Sequence, residues 1–405
     1  MTINTFSRLG TASGYATAVG NISALQESLA TLQQSLTSGL KINQPSDDPI
    51  GAAQAERAIT RLARIQSDQK ALGLQTDAIT SAESTLGQSV TAMQSFRQLV
   101  VSAGNPTLTT TDRQTIALQM SQLRDQVLSL SNTTDANGQP LFGALGSALA
   151  PFVQQSNAPA SYSFNGVAGQ NASTTVSIPA ALDGDKAFMF KPAQDASYNV
   201  SFATNGGQSS TGAVTLQPQP APPVTGSDYQ IDFSTNAGVA QYTVTQLSTP
   251  PVVGTPTNYT AGSPINFDGL SLSVTGTPQA GDSIKVQANT SVFGVMDQAI
   301  SAISSSTNSS GTLSQAIGQA LANIDIGINH LQAARGLAGV LMNRSDSIGA
   351  AQTAGSTRAE AARSRAQDID MVKAITDFQT QQTGYDAALK SYGQIQKLSL
   401  FNYIS

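Results

Sequence analysis

The chain of 405 residues has no cysteine and no tryptophan, and its single histidine is His330. The absence of cysteine excludes a disulfide framework, a thiolate nucleophile and a cysteine-based zinc site. One imidazole cannot form a histidine pair around a metal, and the sequence has no Gly-rich phosphate loop, GxSxG elbow or HExxH motif. We therefore expect a protein that is not an enzyme and that needs no cofactor or metal.

Charged residues are also scarce, at 11% of the chain, against about 25% in an average protein. The formal net charge of −5 and the pI of 4.8 argue against a nucleic-acid partner, because nucleic-acid binders carry a basic face. No run of 18 apolar residues is present, so we expect no membrane partner. The first twenty residues have one arginine but no apolar segment, which argues against a cleaved signal peptide.

The prolines are unevenly distributed along the chain. Thirteen of the 17 lie between Pro151 and Pro278, and none follows Pro278. Proline interrupts helices but is tolerated in the loops and edges of sheets. The same middle third alternates apolar and polar residues, which predicts strands, in the stretches 229–233, 242–245, 270–274 and 283–286.

The outer thirds have the periodicity of helices instead. Near the N-terminus, apolar residues alternate spacings of three and four, as in a helix that packs on another helix: Ile22, Leu25, Leu29, Leu32 and Leu36. The C-terminal segment offers its own apolar set: Val372, Ile375, Phe378, Leu389 and Leu398. Because both ends require a coiled-coil partner, we predict that they pair with each other.

A turn separates the first helix from the next one. Gly39 suits the left-handed position that ends a helix. A signature of five residues then follows: Pro45, Ser46, Asp47, Asp48 and Pro49. Paired carboxylates can serve acid–base chemistry, but Asp48 directly before Pro49 favours a helix cap, with Pro49 at the first helical position.

Longer helices are predicted on both sides of the middle third. An apolar residue recurs every seven positions from Ile65 to Val100, and Thr109 with Asp112 suits a capping box at the start of a further helix. In the last third, Ile317 to Leu331 repeats the four-and-three spacing. His330 lies beside Leu331 on this helix, which favours a surface or interhelical role over catalysis.

These patterns predict an α+β fold, in which both chain ends form an elongated helical bundle or coiled-coil rod and the middle inserts a β domain. We assign residues 1–42 and 359–405 to a terminal coiled-coil assembly region. Residues 43–150 and 291–358 are assigned to a helical rod domain, and residues 151–290 to an inserted, β-rich outer domain.

Several segments resemble the flagellin-like axial proteins of bacterial flagella. Residues 43–53, NQPSDDPIGAA, are similar to the signature after the first helix of that family, and the proline-containing form resembles hook-associated protein 3. Further similarity lies at residues 104–113, 132–143, 385–389 and 398–404. Pro140 and Leu141 depart from the family pattern, which usually has an aromatic residue there.

The resemblance implies a structural subunit of the bacterial flagellum that joins hook to filament. It implies type III export with an export chaperone, a location outside the cell, and assembly with itself, with hook-associated protein 1 on the hook side and with flagellin on the filament side. The ten apolar residues of the two termini would then form an inner tube of paired helices, the assembly interface. Flagellin or another hook-associated protein is the alternative within the family, and a secreted adhesin or glycan-binding module is the alternative from another class.

Overall fold

The computed structural model describes the backbone of residues 4–155, 161–206, 209–305 and 310–404, and the side chains of residues 13–155, 161–206, 209–305 and 313–394. The chain divides into two compact units. The first comprises residues 1–69 and 350–405, and the second comprises residues 70–349. The predicted α+β fold, with helices at both chain ends and a central sheet domain, is confirmed.

The helices among the described residues are α1 (Asn4–Ser38), α2 (Pro49–Ala103), α3 (Thr110–Ser131), α4 (Gly184–Phe188), α5 (Pro192–Asp195), α6 (Val292–Ser305), α7 (Ser310–Gln367) and α8 (Met371–Ile404). The strands are β1 (Phe152–Gln155), β2 (Ser161–Phe164), β3 (Tyr198–Thr204), β4 (Ser210–Thr211), β5 (Thr215–Leu216), β6 (Tyr229–Asn236), β7 (Val239–Gln246), β8 (Val252–Val253), β9 (Thr257–Asn258), β10 (Ile265–Phe267), β11 (Leu270–Leu272), β12 (Val274–Thr275) and β13 (Ser283–Ala288). The four predicted strand stretches fall in β6, β7, β11 with β12, and β13.

The first unit contains α1 and α8 and the adjoining parts of α2 and α7. Gly39 ends α1 with a φ of +71°, as predicted, and its N–H donates to the carbonyl of Ser35 at 2.9 Å. The turn after α1 is tied to the turn before α8, because the Ile369 N–H donates to the Gly39 carbonyl at 3.0 Å and the Lys41 N–H donates to the Gln367 carbonyl at 2.8 Å. The segments that begin α2 and α8 are thereby fixed side by side.

The signature turn at residues 45–49 positions the start of α2. The Asp47 carboxylate accepts the N–H groups of Asn43 and Gln44, both at 2.9 Å, and closes the turn. The Asp48 carboxylate accepts the N–H groups of Ile50 at 3.1 Å and of Gly51 at 2.9 Å, so it caps a helix whose first residue is Pro49. Pro45 and Ser46 are exposed within the turn.

Gly51 is required where α2 starts because the carboxylate approaches its backbone closely. A Cβ at this position would lie 2.5 Å from Asp48 Oδ2 and 2.6 Å from Ile42 Cδ1. Real Cβ atoms do not come that near other heavy atoms. A side chain at residue 51 would therefore displace the cap.

The second unit has a helical core built on the seven-residue repeat of α2. Ile79, Leu86, Met93 and Val100 have no exposed surface, and Leu72 is 5% exposed. They share one cluster with Ile324, Leu331 and other residues of α7. Two ion pairs join these helices at the margin of the core: Arg97 to Asp325 at 2.7 Å, and Arg335 to Glu83 at 2.5 Å. The predicted capping box of Thr109 and Asp112 at the start of α3 is confirmed.

The range 151–290 divides between two cores, although the sequence analysis assigned it to one β-rich domain. Phe152, Tyr162 and Phe188 pack around Phe293 of α6 with ring centroids 5.1 to 5.8 Å apart, inside the helical core. A separate core begins at Ala196 and contains the side chains of the larger sheet. Aromatic packing therefore attaches the described residues between 151 and 190 to the helices.

The larger sheet is antiparallel, with the strand order β3–β13–β6–β7–β8 and β9 also paired with β7. β6 and β7 form a hairpin in which Asn236 pairs with Val239. The two residues between them, Ala237 and Gly238, have φ values of +50° and +83°, as the right-handed twist of a two-residue hairpin requires. Residues 217–223 contain four prolines, at positions 218, 220, 222 and 223, and form no strand.

A row of three amide side chains on α7 covers the open edge of β3. Gln315, Gln319 and Asn323 are four residues apart and so share one helix face. Gln319 accepts the Val200 N–H at 3.0 Å, and Asn323 donates to the Tyr198 carbonyl at 3.0 Å. Gln315 accepts the Thr211 N–H at 3.1 Å. Edge strands present unpaired backbone groups. This row satisfies two of them on β3 and one on β4, and it thereby joins the sheet to the helix.

The cap of α2 gives a first prediction. Asp48→Ala should lower the free energy of unfolding by about 1 kcal/mol, whereas Asp48→Asn, which keeps the acceptor, should change it by a few tenths. Urea unfolding of the full chain measures both, with amide exchange at residues 50 and 51 as the local readout. Equal amide protection in the Ala and Asn variants would contradict the assignment of Asp48 as the cap.

The amide row gives a second prediction. Gln319→Met keeps the volume but leaves the Val200 N–H without its acceptor, which should cost about 1–3 kcal/mol. Gln332→Met, at an exposed position of the same helix, is the matched control and should change stability by less than about 0.5 kcal/mol. Urea unfolding and exchange of the Val200 amide measure the effect; unchanged protection of that amide would refute it.

Candidate assembly interface

The described residues contain few groups that could serve in catalysis or metal binding. They contain no group of three His, Cys, Asp or Glu side chains that could hold a metal. Across the same part of the chain, every helix is too short or too polar to cross a membrane. His330 Nε2 lies 3.1 Å from Asp195 Oδ1, and the other oxygen of that carboxylate accepts the Lys191 N–H at 2.6 Å. The histidine therefore joins α5 to α7 through a residue that also closes the turn of α5, which is the interhelical role expected for it.

The cavity between β3, α6 and α7 has a volume of about 640 Å³. Its walls include Gln315, Gln319 and Asn323, whose amides already bond to β3 and Thr211. A glycan-binding module in the β domain would present exposed aromatic rings. Its described aromatic side chains are instead buried or half-buried, with Phe202, Tyr242 and Tyr259 the more accessible ones.

The helices of the two chain ends pack on each other within the first unit. Tyr15 and Tyr392 meet edge to face with ring centroids 6.0 Å apart, and the Ser28 hydroxyl donates to Gln381 Oε1 at 2.8 Å. Position 15 lies opposite 392 and position 28 opposite 381, so α1 and α8 run antiparallel. Sequence reasoning predicted that the two ends pair, and the structure brings them together in one chain.

The five predicted residues of α1 lie along the face that turns toward α8. Each of them is half-buried: Ile22, Leu25, Leu29, Leu32 and Leu36. Ser35 is buried on the same side. Leucine and isoleucine at alternating spacings of three and four keep one apolar stripe on the helix, which is why the sequence revealed this face.

The predicted residues of α8 are distributed differently. Phe378 is half-buried toward α1, but Val372, Ile375 and Leu389 are 78%, 45% and 42% exposed. The side chain of Leu398 lies outside the described residues. In a single chain, three of the predicted α8 residues therefore do not pack on α1.

The face of α8 that does meet α1 has an unusual composition. Its members alternate spacings of four and three and are small, aromatic or polar: Ala374, Phe378, Gln381, Tyr385, Ala388 and Tyr392. Sequence reasoning that selects large aliphatic residues misses this set, although its spacing is regular. Ile375 and Leu389 each follow one of its alanines, so they lie at the margin of the helix pair and face outward.

This arrangement leaves four large apolar side chains of α8 exposed. Met371, Val372, Ile375 and Leu389 are all at least 42% exposed on a helix whose inner face is already covered. Met371, Val372 and Ile375 lie within five residues of one another, and a cluster of exposed apolar side chains marks a surface that meets another protein. The geometry therefore suits an assembly contact, with α1 and α8 as its rigid support.

Comparison with known proteins shows that both chain ends match models of one family. The model for the bacterial flagellin N-terminal helical region matches residues 11–146, and the model for the bacterial flagellin C-terminal helical region matches residues 321–404. Between them, residues 200–288 match the model for the D2-like domain of flagellar hook-associated protein 1. The last range corresponds to the separate β core of the second unit.

Individual relatives give a consistent result. Flagellar hook-associated protein 3 of Salmonella typhimurium is 35% identical over 149 residues, which are 36% of this chain and 46% of that protein. The same protein of Escherichia coli is 37% identical over 124 residues, 30% of this chain and 38% of that protein. The matched segments therefore span less than half the length of these curated relatives.

A solved structure extends the similarity to the tertiary fold. The flagellar junction protein FlgL of Legionella pneumophila aligns with a TM-score of 0.59 at 25% identity, over 73% of this chain and 99% of that one. The two flagellin regions, the curated relatives and this structure agree: the chain is flagellin-like and resembles flagellar hook-associated protein 3.

Proposed function

We propose that the chain is a structural subunit of the bacterial flagellum that joins the hook to the filament and polymerises through its terminal helices. The observation that carries this proposal is the match to both flagellin helical regions at chain ends whose helices, α1 and α8, pack on each other. The relatives named hook-associated protein 3 and junction protein supply the position within the flagellum.

Assembly would rely on the surface that a single chain leaves open. Identical subunits that meet by unlike surfaces form open helical assemblies when the rotation between them does not close. Burying one exposed valine, leucine or isoleucine side chain is worth about 1.5–3 kcal/mol. Val372, Ile375 and Leu389 could thus supply several kcal/mol for each neighbour, and the half-buried α1 residues from Ile22 to Leu36 would complete the inner tube.

The proposal includes the partners and the location. The chain would assemble with itself, with hook-associated protein 1 on the hook side and with flagellin on the filament side, and would use a type III export chaperone on the way out of the cell. It would act in the extracellular part of the flagellum, without catalysis. The ordinary structural roles of His330 and of Asp47 and Asp48 support that view.

A deletion strain tests the junction role. In the bacterium that encodes this chain, removal of the gene should leave hooks in place while flagellin is shed into the medium, because the filament lacks its attachment layer. Electron microscopy of the cells and assay of flagellin in the culture fluid measure this. Full-length filaments on the deleted strain, or absence of the hooks themselves, would rule the proposal out.

Charged substitutions on α8 test the interface. Ile375→Asp and Leu389→Asp should prevent filament attachment while the thermal unfolding of the purified chain stays unchanged, because both side chains face outward. Thr383→Asp adds the same charge at an exposed polar position of α8 and should leave attachment intact. Leu29→Asp, on the half-buried face of α1, should lower both stability and attachment. Normal motility of the Ile375 and Leu389 variants would remove these residues from the interface.

A further inference from the structure

The arginines of the chain are concentrated where α2 and α7 belong to the first unit. Residues 49–69 and 350–367 hold six of the twelve arginines and three acidic residues, Glu56, Asp68 and Glu360, for a formal charge of +3. Since the whole chain carries −5, all the other residues together carry −8. A strongly basic segment thus stands in an acidic protein.

Three of these arginines form one stripe on α2. Arg57, Arg61 and Arg64 are spaced by four and three residues, so they share one helix face, and all three are exposed. Each directly precedes a residue of the inner face: Ala58, which is buried, and Leu62 and Ile65, which are half-buried. Asp68, half-buried, occupies the next position of the stripe.

Two arginines of α7 also stand directly before residues of the inner face. Arg358 and Arg365 are exposed, seven residues apart, and directly precede the buried residues Ala359 and Ala366. The two helices are in contact here, because a Cβ on Gly355 would lie 3.3 Å from Ile65 Cδ1. Gln367, at the end of α7, bonds to Lys41, shortly before the start of α2. The helices therefore run antiparallel in this unit.

The antiparallel direction puts both stripes on the same side. In a right-handed helix, the residue before an inner-face position is rotated by about 100° from the contact. When two helices face each other in opposite directions, this rotation takes both preceding residues to the same side of the pair. Five arginines consequently line one side, and we call this surface the arginine belt: Arg57, Arg61, Arg64, Arg358 and Arg365.

Within the part of the chain that the structure describes, no arginine of the belt forms an ion pair within 4 Å, although Asp68 follows Arg64 on the same stripe. The ion pairs there involve other residues, including Arg363, which pairs with Glu360 at 2.6 Å. Arg358 and Arg365 each donate Nε to a carbonyl of their own helix, at 3.0 and 3.1 Å. The five guanidinium groups thus keep their charge and most of their donors for an external acceptor.

We infer that the arginine belt is a contact between copies of this chain, and that it receives a carboxylate-bearing surface of the neighbouring copy. The inference deepens the proposed function and rests on it, since it names the electrostatic part of the self-assembly. The charge of the remaining residues favours a second copy, because every copy brings a surplus of −8 outside these two segments. Guanidinium groups form paired hydrogen bonds with carboxylates, so the belt would fix the position of the neighbour while the apolar α8 surface supplies burial.

A graded series of variants tests the charge of the belt. The gene is returned to the deletion strain with Arg57, Arg61 and Arg64 changed together to Lys, to Gln or to Glu. The expected fraction of hooks that bear filaments is near wild type for Lys, reduced for Gln and lowered at least tenfold for Glu. Arg358→Glu with Arg365→Glu should reproduce the loss from the other helix. Lys285→Glu, an exposed charge reversal on β13, is the control and should attach filaments normally.

Photo-crosslinking identifies what occupies the belt. A benzophenone amino acid at position 61 is irradiated in intact flagella, with position 60, exposed on another face of α2, as the control. An adduct of twice the chain mass whose peptides come from a second copy supports the inference. An adduct with flagellin, hook-associated protein 1 or any other protein overturns it, as does the absence of an adduct in flagella that assemble normally.

The outcomes separate this inference from the proposed function. If the wild-type gene does not restore filament attachment to the deletion strain, the junction role fails. The crosslinking result is then the only test of the contact between copies at the belt. If the wild-type gene restores attachment and the triple Glu variant does so equally well, the inferred contact at the belt is refuted and the junction role stands. Thermal unfolding of the purified Glu variant must match wild type, so that a loss is assigned to contact rather than to folding.

Discussion

The burial of one apolar seam between α2 and α7 is the constraint on which the second unit depends. Residues spaced by seven from Leu72 to Val100 are almost completely withdrawn from water, and burial of each such side chain contributes about 1.5–3 kcal/mol. The ion pairs Arg97–Asp325 and Glu83–Arg335 lie beside that seam and fix its register. The first part of the β-containing segment joins the same helical core around Phe293 of α6, and the separate β core is connected to α7 through its amide side chains.

The amides of α7 show how a sheet can be attached without an apolar interface. Gln319 and Asn323 bond to two backbone groups on the edge of β3, and Gln315 bonds to Thr211 of β4. Such a connection is directional, because each hydrogen bond specifies a donor and an acceptor, whereas apolar packing tolerates sliding. A domain held in this way keeps one orientation relative to the helix that carries it.

The first unit uses the same elements for a different purpose. Its helices bury smaller side chains, among them Ala58, Ala359, Ala366 and Ala374, and they leave large apolar residues of α8 and the arginines of α2 and α7 in water. A chain that only had to fold would gain by placing those aliphatic residues inside. Their exposure is understandable if other copies cover this surface. Among the described residues there is also no metal cluster and no accessible aromatic groove, so this surface is the main candidate for a functional contact.

Local patterns in the chain were enough to predict the class of the fold and the position of its parts. Proline placement, alternation and heptad spacing were sufficient for the helical ends, the central strands, the Asp48 cap and the capping box, because each depends on residues within one or two turns of chain. No local pattern predicted that Phe152, Tyr162 and Phe188 belong to the helical core. Nor did any pattern predict that α8 meets α1 through alanines, aromatics and a glutamine, while Val372, Ile375 and Leu389 stay largely exposed. The physical reason is that hydrophobicity tells whether a side chain gains from burial, but not which of several faces is buried within the chain and which is left for a neighbour.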